Sequence, residues 1–324
     1  MAVVTLDDIR DAQKRIAGVA VRTPLMPCPW AQTDTHTLHL KPESLQPTGA
    51  FKIRGAYNRL AALTAAERAR GVVAQSSGNH AQAVAYAARA LGIKAVIVMP
   101  DTSPAVKVEN TRSFGAEVIL VHMSERDTTP ADLVAEHGHV WVPPYDDPWI
   151  IAGQGTVGLE LAEDATALDL DLRTVLVPVS GGGLISGTAA ALKLTMPGVR
   201  IIGVEPELAG DAAESFRTGE RKVWPFEDTH RTVADGLRTN SLGLLPWEHV
   251  QAYVDDIVTV SEDEIRAAVA VLARRGRLVA EPSGAVATAA YLHHADRLPR
   301  GRSVAAVVSG GNVEPSLLAE LLAV

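Results

Sequence analysis

One lysine stands in a stretch of small and apolar residues, PTGAFKIRG, at positions 47–55. Lys52 follows Phe51 and lies in the first turn of a predicted helix, IRGAYNRLAAL. Most lysines are solvated surface charges. A lysine amine that is partly desolvated is also the usual group that forms a Schiff base with a carbonyl compound. This stretch alone leaves both interpretations open.

A glycine-rich loop follows a second apolar run, in VLVPVSGGGLISGTAAAL. The loop consists of Ser180, Gly181, Gly182 and Gly183, and a helix is predicted to begin near Leu184. Without Cβ atoms the chain can turn sharply and direct its N–H groups at one point, and the helix dipole adds positive charge there. The pattern is typical of a phosphate site, and a tight turn without a ligand is the alternative.

The loop lacks two residues that the common nucleotide-binding motifs require. The dinucleotide fingerprint requires glycine where the chain has Ser186, and the P-loop requires lysine where it has Thr188. A small phosphorylated cofactor therefore fits this loop better than NAD or ATP.

Two further loops carry polar side chains between a predicted strand and a predicted helix. SSGNH contains Ser76, Ser77, Asn79 and His80, whose hydroxyl, amide and imidazole groups could hold a carboxylate or a phenolate. SGGN begins with Ser309, a neutral hydroxyl that could face a ring nitrogen. Helix capping and a simple turn explain these residues equally well when each loop is taken alone.

The reactive lysine and the phosphate loop together suggest pyridoxal phosphate. The loop would hold the phosphate of this cofactor, and the lysine would bond to its aldehyde.

The elements that must position these loops alternate between short Val/Ile-rich runs and helical patterns from residue 52 onward. Such runs predict strands buried on both faces, and hence parallel α/β sheets with ligands at the carboxyl ends of the strands. The Pro- and Gly-rich segment 142–155 is predicted to cross between two α/β layers that enclose a cleft.

The overall composition restricts the function further. A net charge of −8 without a basic tract argues against nucleic acid as a partner. The single cysteine, Cys28, excludes an internal disulfide and a cysteine-rich metal site. No apolar run has the length of a membrane span, and the charged amphipathic N-terminus lacks an apolar signal segment, so a soluble cytoplasmic protein is expected.

Seven motifs, in order along residues 41 to 313, resemble the β-family (fold type II) of pyridoxal-phosphate enzymes, specifically the serine/threonine dehydratase and serine racemase branch. They are KPESLQPTGAFKIRGA, SSGNHAQA, IAGQGT, VSGGGLISG, VADGL, AEPSGA and VSGGN. The resemblance implies a fold like that of the tryptophan synthase β subunit. This fold has two open, mostly parallel twisted sheets flanked by helices, with the cofactor in the cleft between a large and a small domain.

The resemblance also implies domain bounds and a homodimer. The large cofactor-binding domain would comprise residues 1–63 and 149–324, and the small mobile domain residues 71–147. Residues 64–70 and residue 148 would connect them.

Cofactor contacts are implied residue by residue. Lys52 would bind the cofactor covalently, with Phe51 beside its ring. Asn79 would bond the phenolic oxygen, Ser309 the ring nitrogen, and Gly236 would lie against one ring face. The phosphate would lie on the backbone of Gly181, Gly182, Gly183 and Leu184.

The resemblance assigns the remaining roles to the substrate. Lys52 would remove the Cα proton from one face, and Ser77 could act as the acid or base on the other. Ser76, Ser77 and His80 would receive the substrate carboxylate. The expected reaction is dehydration and deamination of a β-hydroxy amino acid such as serine or threonine to a 2-oxo acid and ammonia. Serine racemisation, dehydration of 3-hydroxyaspartate or phenylserine, and a non-catalytic binding protein are the alternatives.

A metal site is implied in GVEPELAGDAAESF. Glu205, the Ala209 carbonyl and Asp211 would hold Mg²⁺ or Ca²⁺, for which oxygen ligands are suitable. The chain departs from the family at Ala50 and Ala81, where relatives often have serine and glycine, and Tyr145 stands where relatives vary. The chain ends soon after VSGGN, so no regulatory domain and no amino-acid feedback through one are expected.

Overall fold

The computed structural model describes residues 3–76, 78–103, 105–126, 128–298 and 303–323, and in these residues the backbone forms two β-sheets with helices around them. The strands are β1 Met26–Pro27, β2 Thr37–Pro42, β3 Val72–Gln75, β4 Ala95–Pro100, β5 Glu117–Val121, β6 Val140–Trp141, β7 Leu172–Pro178, β8 Arg200–Pro206, β9 Asp256–Val260 and β10 Ser303–Val308. The two short strands, β1 and β6, carry too few residues to show a period and had no counterpart in the sequence patterns.

The larger sheet has the strand order β1-β2-β10-β7-β8-β9. β1 is antiparallel to β2, and the other neighbouring pairs are parallel. All six residues of β10 are buried, because helices cover both faces of the sheet. The smaller sheet has the order β5-β4-β3-β6 and is parallel throughout. The predicted fold, two mostly parallel sheets flanked by helices, is therefore confirmed.

Helices follow most strands, as parallel pairing requires. They are α1 Leu6–Ile16, α2 Lys52–Ala61, α3 Ala65–Arg70, α4 Asn79–Leu91, α5 Ala105–Ser113, α6 Thr129–His137, α7 Pro148–Ala167, α8 Gly183–Thr195, α9 Asp211–Thr218, α10 Phe226–Thr229, α11 Leu244–Tyr253, α12 Glu262–Val271, α13 Pro282–His294 and α14 Pro315–Leu322. None of the helices in the described ranges combines the length and the hydrophobicity that a membrane span needs.

Helix α7 occupies the second half of the segment that was predicted to cross between the two layers. The Pro- and Gly-rich composition of 142–155 gave no helical pattern, but from residue 148 onward the segment is a buried helix. Asp147 caps it by accepting hydrogen bonds from the backbone N–H groups of Trp149 and Ile150. Proline is favoured at the first helical position, and the glycines that suggested a loop are packing positions. The crossing between the two layers stays a prediction.

Those glycines let α7 approach two neighbouring helices closely. An added Cβ would lie 2.5 Å from the Arg54 carbonyl oxygen of α2 at Gly153, and 2.4 Å from the Thr188 carbonyl oxygen of α8 at Gly158. Both distances are too short for a real side chain. The IAGQGT motif thus fixes how α2, the helix that begins with Lys52, packs on the rest of the chain.

The hydrophobic core is divided among several clusters. Ile53 and Leu60 of α2 pack in one cluster with Val72 and Ile97 of the smaller sheet. Cys28 is 4% exposed and packs in the largest cluster, beneath the larger sheet. Burial raises the pKa of the Cys28 thiol to about 11.

Candidate active site

A cavity of about 910 Å³ is lined from both sheets. Gln75 and Pro100 end strands of the smaller sheet at this cavity, and Pro178 ends a strand of the larger one. Ligands of parallel α/β proteins bind at such carboxyl ends. The predicted cofactor and substrate residues that the structure describes all line the cavity, namely Phe51, Lys52, Ser76, Asn79, His80, Gly181, Gly182, Gly183, Leu184, Gly236 and Ser309. Ser77 lies outside the described residues, and the individual roles stay predictions.

Lys52 is the first residue of α2, and its Nζ donates a hydrogen bond to the Pro144 carbonyl oxygen at 2.8 Å. The amine lies 5.1 Å from the centroid of the Phe51 ring. Burial lowers the pKa of Lys52 to about 8, because a desolvated ammonium is disfavoured. At pH 7 the Lys52 amine is then a neutral nucleophile in about a tenth of the molecules, whereas an exposed lysine is neutral in well under a thousandth of them.

A buried charge network anchors the helix that carries Lys52. The Arg54 guanidinium donates to both carboxyl oxygens of Glu43 and both of Glu160, at 2.7–2.9 Å. Lys41 Nζ donates to Glu160 at 2.7 Å. The four side chains are 0–6% exposed. Sequence reasoning missed this network, although KPES and KIRG carry three of its members.

The predicted phosphate loop has the backbone that its glycines allow. Gly182 has a φ of +90°, a left-handed conformation that favours glycine. A Cβ at Gly181 would lie 2.3 Å from the Tyr145 ring, so that ring packs directly on the loop. Gly183 and Leu184, the first residues of α8, line the cavity, and the first N–H groups of a helix have no partner within it. The loop therefore fits an anion.

Asn79, at the start of α4, bonds two other side chains that line or approach the cavity. Its Nδ2 donates to Glu281 Oε1 at 2.6 Å, and its Oδ1 accepts from Asn312 Nδ2 at 2.7 Å. Burial and the nearby Asp235 carboxylate raise the pKa of Glu281 to about 8. The sequence motif AEPSGA contained Glu281, but no local pattern indicated that its side chain reaches Asn79.

His80 is buried, and its Nε2 lies 2.9 Å from the Val142 carbonyl oxygen. Since a carbonyl only accepts, the imidazole donates from Nε2. Burial and the charge of Lys52 lower the pKa of His80 to about 3, which keeps the ring neutral. The neutral ring then has only the accepting Nδ1 left, so in this tautomer the His80 side chain cannot donate a hydrogen bond to a substrate carboxylate. Ser76 Oγ accepts a hydrogen bond from the Gly78 N–H at 3.1 Å.

Ser309 follows β10 and is 4% exposed. Its Oγ donates to the Ser283 carbonyl oxygen over 3.4 Å, a long distance for a hydrogen bond from a hydroxyl. The Ser283 hydroxyl in turn accepts from the Gly236 N–H at 2.8 Å. Ser283 therefore links two predicted cofactor residues, a role that its sequence context did not suggest.

Glu205 and Asp211 form a pair of buried carboxylates, 0% and 1% exposed. Within the described residues, Glu205 Oε1 and both side-chain oxygens of Asp211 have no hydrogen-bond partner. Burial raises the pKa of Asp211 to about 7, and burial together with Asp211 raises the pKa of Glu205. Ala209, between them in sequence, is also buried. Two adjacent acids with carboxylate oxygens that have no hydrogen-bond partner among the described residues are suited to a hard cation.

Together, the fold and the cavity define an α/β enzyme that uses a cofactor with a carbonyl group and a phosphate. Pyridoxal phosphate fits the residues present, because Lys52 is a buried amine, the glycine loop suits a phosphate, and Ser309 offers a hydroxyl. A family model described as pyridoxal-phosphate dependent enzyme matches residues 16–310, and the chain belongs to this family.

Three relatives illustrate the range of activities in the family. The chain is 42% identical to an L-threonine dehydratase (catabolic) of Escherichia coli strain K12, over 98% of this chain and 96% of the relative. It is 40% identical to an L-threo-3-hydroxyaspartate ammonia-lyase of Saccharomyces cerevisiae, over 99% and 97%. It superposes on the structure of maize serine racemase with a TM-score of 0.92 and 39% identity, over 98% and 97%.

Proposed function

We propose that this chain is a pyridoxal-phosphate-dependent ammonia-lyase that converts a β-hydroxy amino acid, such as threonine or serine, to a 2-oxo acid and ammonia. The observation that carries the proposal is the Lys52 amine, whose pKa is lowered to about 8 at a cavity with a phosphate loop. The 42% identity to a protein named L-threonine dehydratase supports the substrate class.

Bound pyridoxal phosphate supplies an electron sink for the pair released when the Cα–H bond breaks. Lys52 in its neutral form takes the Cα proton, and a base with a pKa near the working pH suits this task. The β-hydroxyl departs with a proton as water, and a second water cleaves the C–N bond. The net products are a 2-oxo acid and ammonia.

Ser309 supports elimination over amino-group transfer. Its hydroxyl is neutral, so it offers the ring nitrogen a hydrogen bond without the negative charge that would hold a proton there. The Ser283 carbonyl already accepts the Ser309 proton in the structure. To donate to an unprotonated ring nitrogen, the Ser309 hydroxyl would rotate away from this carbonyl oxygen.

The direct test measures 2-oxo acid release from a panel of β-hydroxy amino acids in all stereoisomers, including 3-hydroxyaspartate and phenylserine. Lys52→Ala should fold, lose the visible absorbance of the lysine-bound cofactor and form no 2-oxo acid. Lys107→Ala removes another lysine that lines the cavity and should keep the absorbance. Wild-type turnover by Lys52→Ala would refute the proposal, as would absence of a bound cofactor in the wild-type protein.

Racemisation is the second candidate, favoured by the 39% identity to maize serine racemase and by Ser77 in the SSGNH motif. If Ser77 is the acid or base on the face opposite Lys52, Ser77→Ala should slow the reaction of one enantiomer by about 10²–10⁴-fold and abolish racemisation. Ser76→Ala is the matched control, because it removes a predicted carboxylate-binding hydroxyl without removing the predicted acid or base. An equal rise in KM for both enantiomers with unchanged kcat would instead make Ser77 only a carboxylate-binding residue.

We further propose that Mg²⁺ or Ca²⁺ binds at Glu205, the Ala209 carbonyl and Asp211. The unpartnered, buried carboxylate oxygens support this site. The described residues contain no cluster of three or more His, Cys, Asp or Glu side chains suited to a metal, so backbone carbonyl and water would complete the ligand set.

Metal binding should raise the melting temperature, because a ligand of the native state stabilises it. Titration of chelator-treated protein with Mg²⁺ or Ca²⁺ should raise the Tm of the wild type and not that of Asp211→Asn. Glu207→Gln alters an exposed acid in the same loop and should respond as the wild type does. An unchanged wild-type Tm across the titration would contradict the metal site.

A homodimer is also proposed, supported by two exposed hydrophobic side chains. Leu45 is 49% exposed and Val279 is 51% exposed. Ser44, which precedes Leu45, and the Val279 carbonyl both lie against Gly311, so Leu45 and Val279 belong to the same region of the chain. Light scattering should give twice the chain mass. Leu45→Glu should shift it towards the monomer, whereas Leu168→Glu, at another exposed leucine (56%), should not.

Two broader predictions remain part of the proposal. The division into a large domain (1–63 and 149–324) and a small mobile domain (71–147) is supported by the separate sheets, since β3 to β6 lie within 71–147. A cytoplasmic location is supported by the single, buried Cys28. Hydrogen exchange with and without substrate tests the first, and cell fractionation the second.

A further inference from the structure

We propose that Glu281 is a positioning residue, which acts with Asn312 to orient the Asn79 amide so that one of its hydrogens faces the cofactor. The inference rests on the proposed function, because it assigns Glu281 and Asn312 a role in holding Asn79 at the same cavity.

The orientation follows from a chain of hydrogen bonds with one fixed end. The Thr48 carbonyl oxygen can only accept, and it lies 2.9 Å from the side-chain nitrogen of Asn312. Asn312 therefore presents its NH₂ group on this side, and the same group donates to Asn79 at 2.7 Å. Asn79 must then present its oxygen to Asn312. Its own NH₂ group consequently faces Glu281, which accepts at 2.6 Å.

An amide NH₂ group has two hydrogens, and Glu281 accepts one of them. In the part of the chain that the structure describes, Asn79 Nδ2 makes no other hydrogen bond, and Asn79 lines the cavity. The second hydrogen is therefore available to a cofactor oxygen. If the amide were rotated by half a turn, its oxygen would oppose that acceptor, and the contact would become repulsive.

Glu281 is held too tightly to be a mobile surface acid. It is 4% exposed, and its Oε1 lies so close to Gly310 that a Cβ there would be 2.2 Å away. Its backbone carbonyl accepts from the Gly284 and Ala285 N–H groups, but its side chain does not cap α13. Helix initiation thus explains the backbone of Glu281 and leaves its carboxyl group for another purpose.

The protonation state of Glu281 suits this purpose. Burial and Asp235 raise its pKa, whereas the Asn79 hydrogen bond and Lys107 oppose the rise, and the result is about 8. A neutral carboxylic acid still accepts through its carbonyl oxygen. It therefore orients Asn79 without placing a negative charge beside an electron-rich cofactor oxygen.

The experiment compares cofactor binding in Glu281→Gln and Glu281→Ala. Glutamine keeps an accepting oxygen and resembles the neutral acid, so its dissociation constant for pyridoxal phosphate and its absorbance spectrum at pH 7 should match the wild type. Alanine should weaken binding about tenfold, the effect of one hydrogen bond, and shift the absorbance. Asp146→Asn is the matched control, because Asp146 lines the cavity but bonds the Leu244 and Leu245 N–H groups instead.

Asn312→Ala removes the other support of Asn79 and should reproduce the alanine phenotype. The double variant should be no worse than either single one, because both delete the same orientation. If Glu281→Ala does not fold, Asn312→Ala alone decides the question. A wild-type spectrum and affinity in the alanine variants would overturn the proposal, and so would equal losses in Glu281→Gln and Glu281→Ala.

These measurements do not depend on turnover. A wild-type protein that binds the cofactor but releases no 2-oxo acid would refute the ammonia-lyase and leave the Glu281 test intact. Conversely, an active wild-type enzyme with unaltered Glu281 and Asn312 variants would refute only the positioning role.

Discussion

At the scale of single residues, burial changes the acid–base behaviour of the side chains that face the cavity. The Lys52 pKa of about 8 and the Glu281 pKa of about 8 move towards each other from ordinary values of 10.5 and 4.5. At pH 7 Glu281 is consequently mostly neutral, whereas about a tenth of the Lys52 amines are neutral, so each group can bind or release a proton near the pH of a cell.

We expect the rate of pyridoxal phosphate incorporation into the cofactor-free protein to follow the neutral fraction of Lys52. The rate should rise about tenfold per pH unit below pH 8 and level off above it, because only the neutral amine attacks the aldehyde. Rapid-mixing absorbance between pH 6 and 10 measures this rate. Nα-acetyl-lysine is the reference, and a protein rate that climbs with it to pH 10 would contradict the lowered pKa.

Glu281→Gln should change how stability depends on pH in the cofactor-free protein. The folded-state pKa of Glu281 lies above its unfolded value. Its contribution to the free energy of unfolding is therefore fully present below pH 4.5 and is lost as pH rises through 8. Between these two pH values the unfolding free energy of the wild type should fall by about 1.4 kcal/mol per pH unit relative to that of Glu281→Gln. Asp235, Lys107 and Lys52 are charged groups around this cavity and are present in both proteins. Urea unfolding from pH 5 to 9 provides the comparison, and parallel profiles would contradict it.

At the scale of elements, the contact between α2 and α7 determines where Lys52 lies. Gly153→Ala should destabilise the protein, although alanine favours helices over glycine by about 1 kcal/mol. The added methyl group would lie 2.5 Å from the Arg54 carbonyl oxygen, and such overpacking costs about 1–3 kcal/mol. Gly198→Ala, with open space around its Cβ, should be neutral. Denaturant midpoints and cofactor content measure both, and a more stable Gly153→Ala would contradict the close contact.

The sequence predicted elements well where a regular pattern existed. Strands β4 and β8 were predicted from the apolar runs KAVIVMP and RIIGVEP, because strands buried on both faces must be continuously apolar. Helix α7 was not predicted, because a helix buried on all sides lacks a polar face and its glycines resemble loop residues. The glycines of α7 become intelligible only with the partner helices in place.

At the scale of the whole molecule, two kinds of ion pair should differ greatly in their effect. Arg54→Met leaves the buried Glu43 carboxylate without its cationic partner and Glu160 with Lys41 alone, and should cost about 3–5 kcal/mol of unfolding free energy. Lys107→Met breaks the contact with Asp235, in which the acid is 40% exposed, and should cost under about 1 kcal/mol. Urea unfolding of the two variants tests this order, and equal losses would contradict it.

The candidate site divides in the same way between what sequence could and could not predict. Lys52, the glycine loop and Ser309 belong to local motifs, so their positions along the chain were sufficient. The link from Asn79 to Glu281 joins residues 202 positions apart, and no local pattern encodes it. The same holds for the Arg54 network, in which ordinary-looking surface charges become buried through folding.

The buried thiol of Cys28 can report how often the surrounding hydrophobic cluster opens in the native protein. Because the thiol is 4% exposed and has a pKa of about 11, alkylating reagents should modify it only when the surrounding cluster opens. With one cysteine in the chain, every labelled molecule records one such opening. The labelling rate in the presence of cofactor, substrate or cation would therefore read out directly how much each of them slows that opening, without any engineered probe.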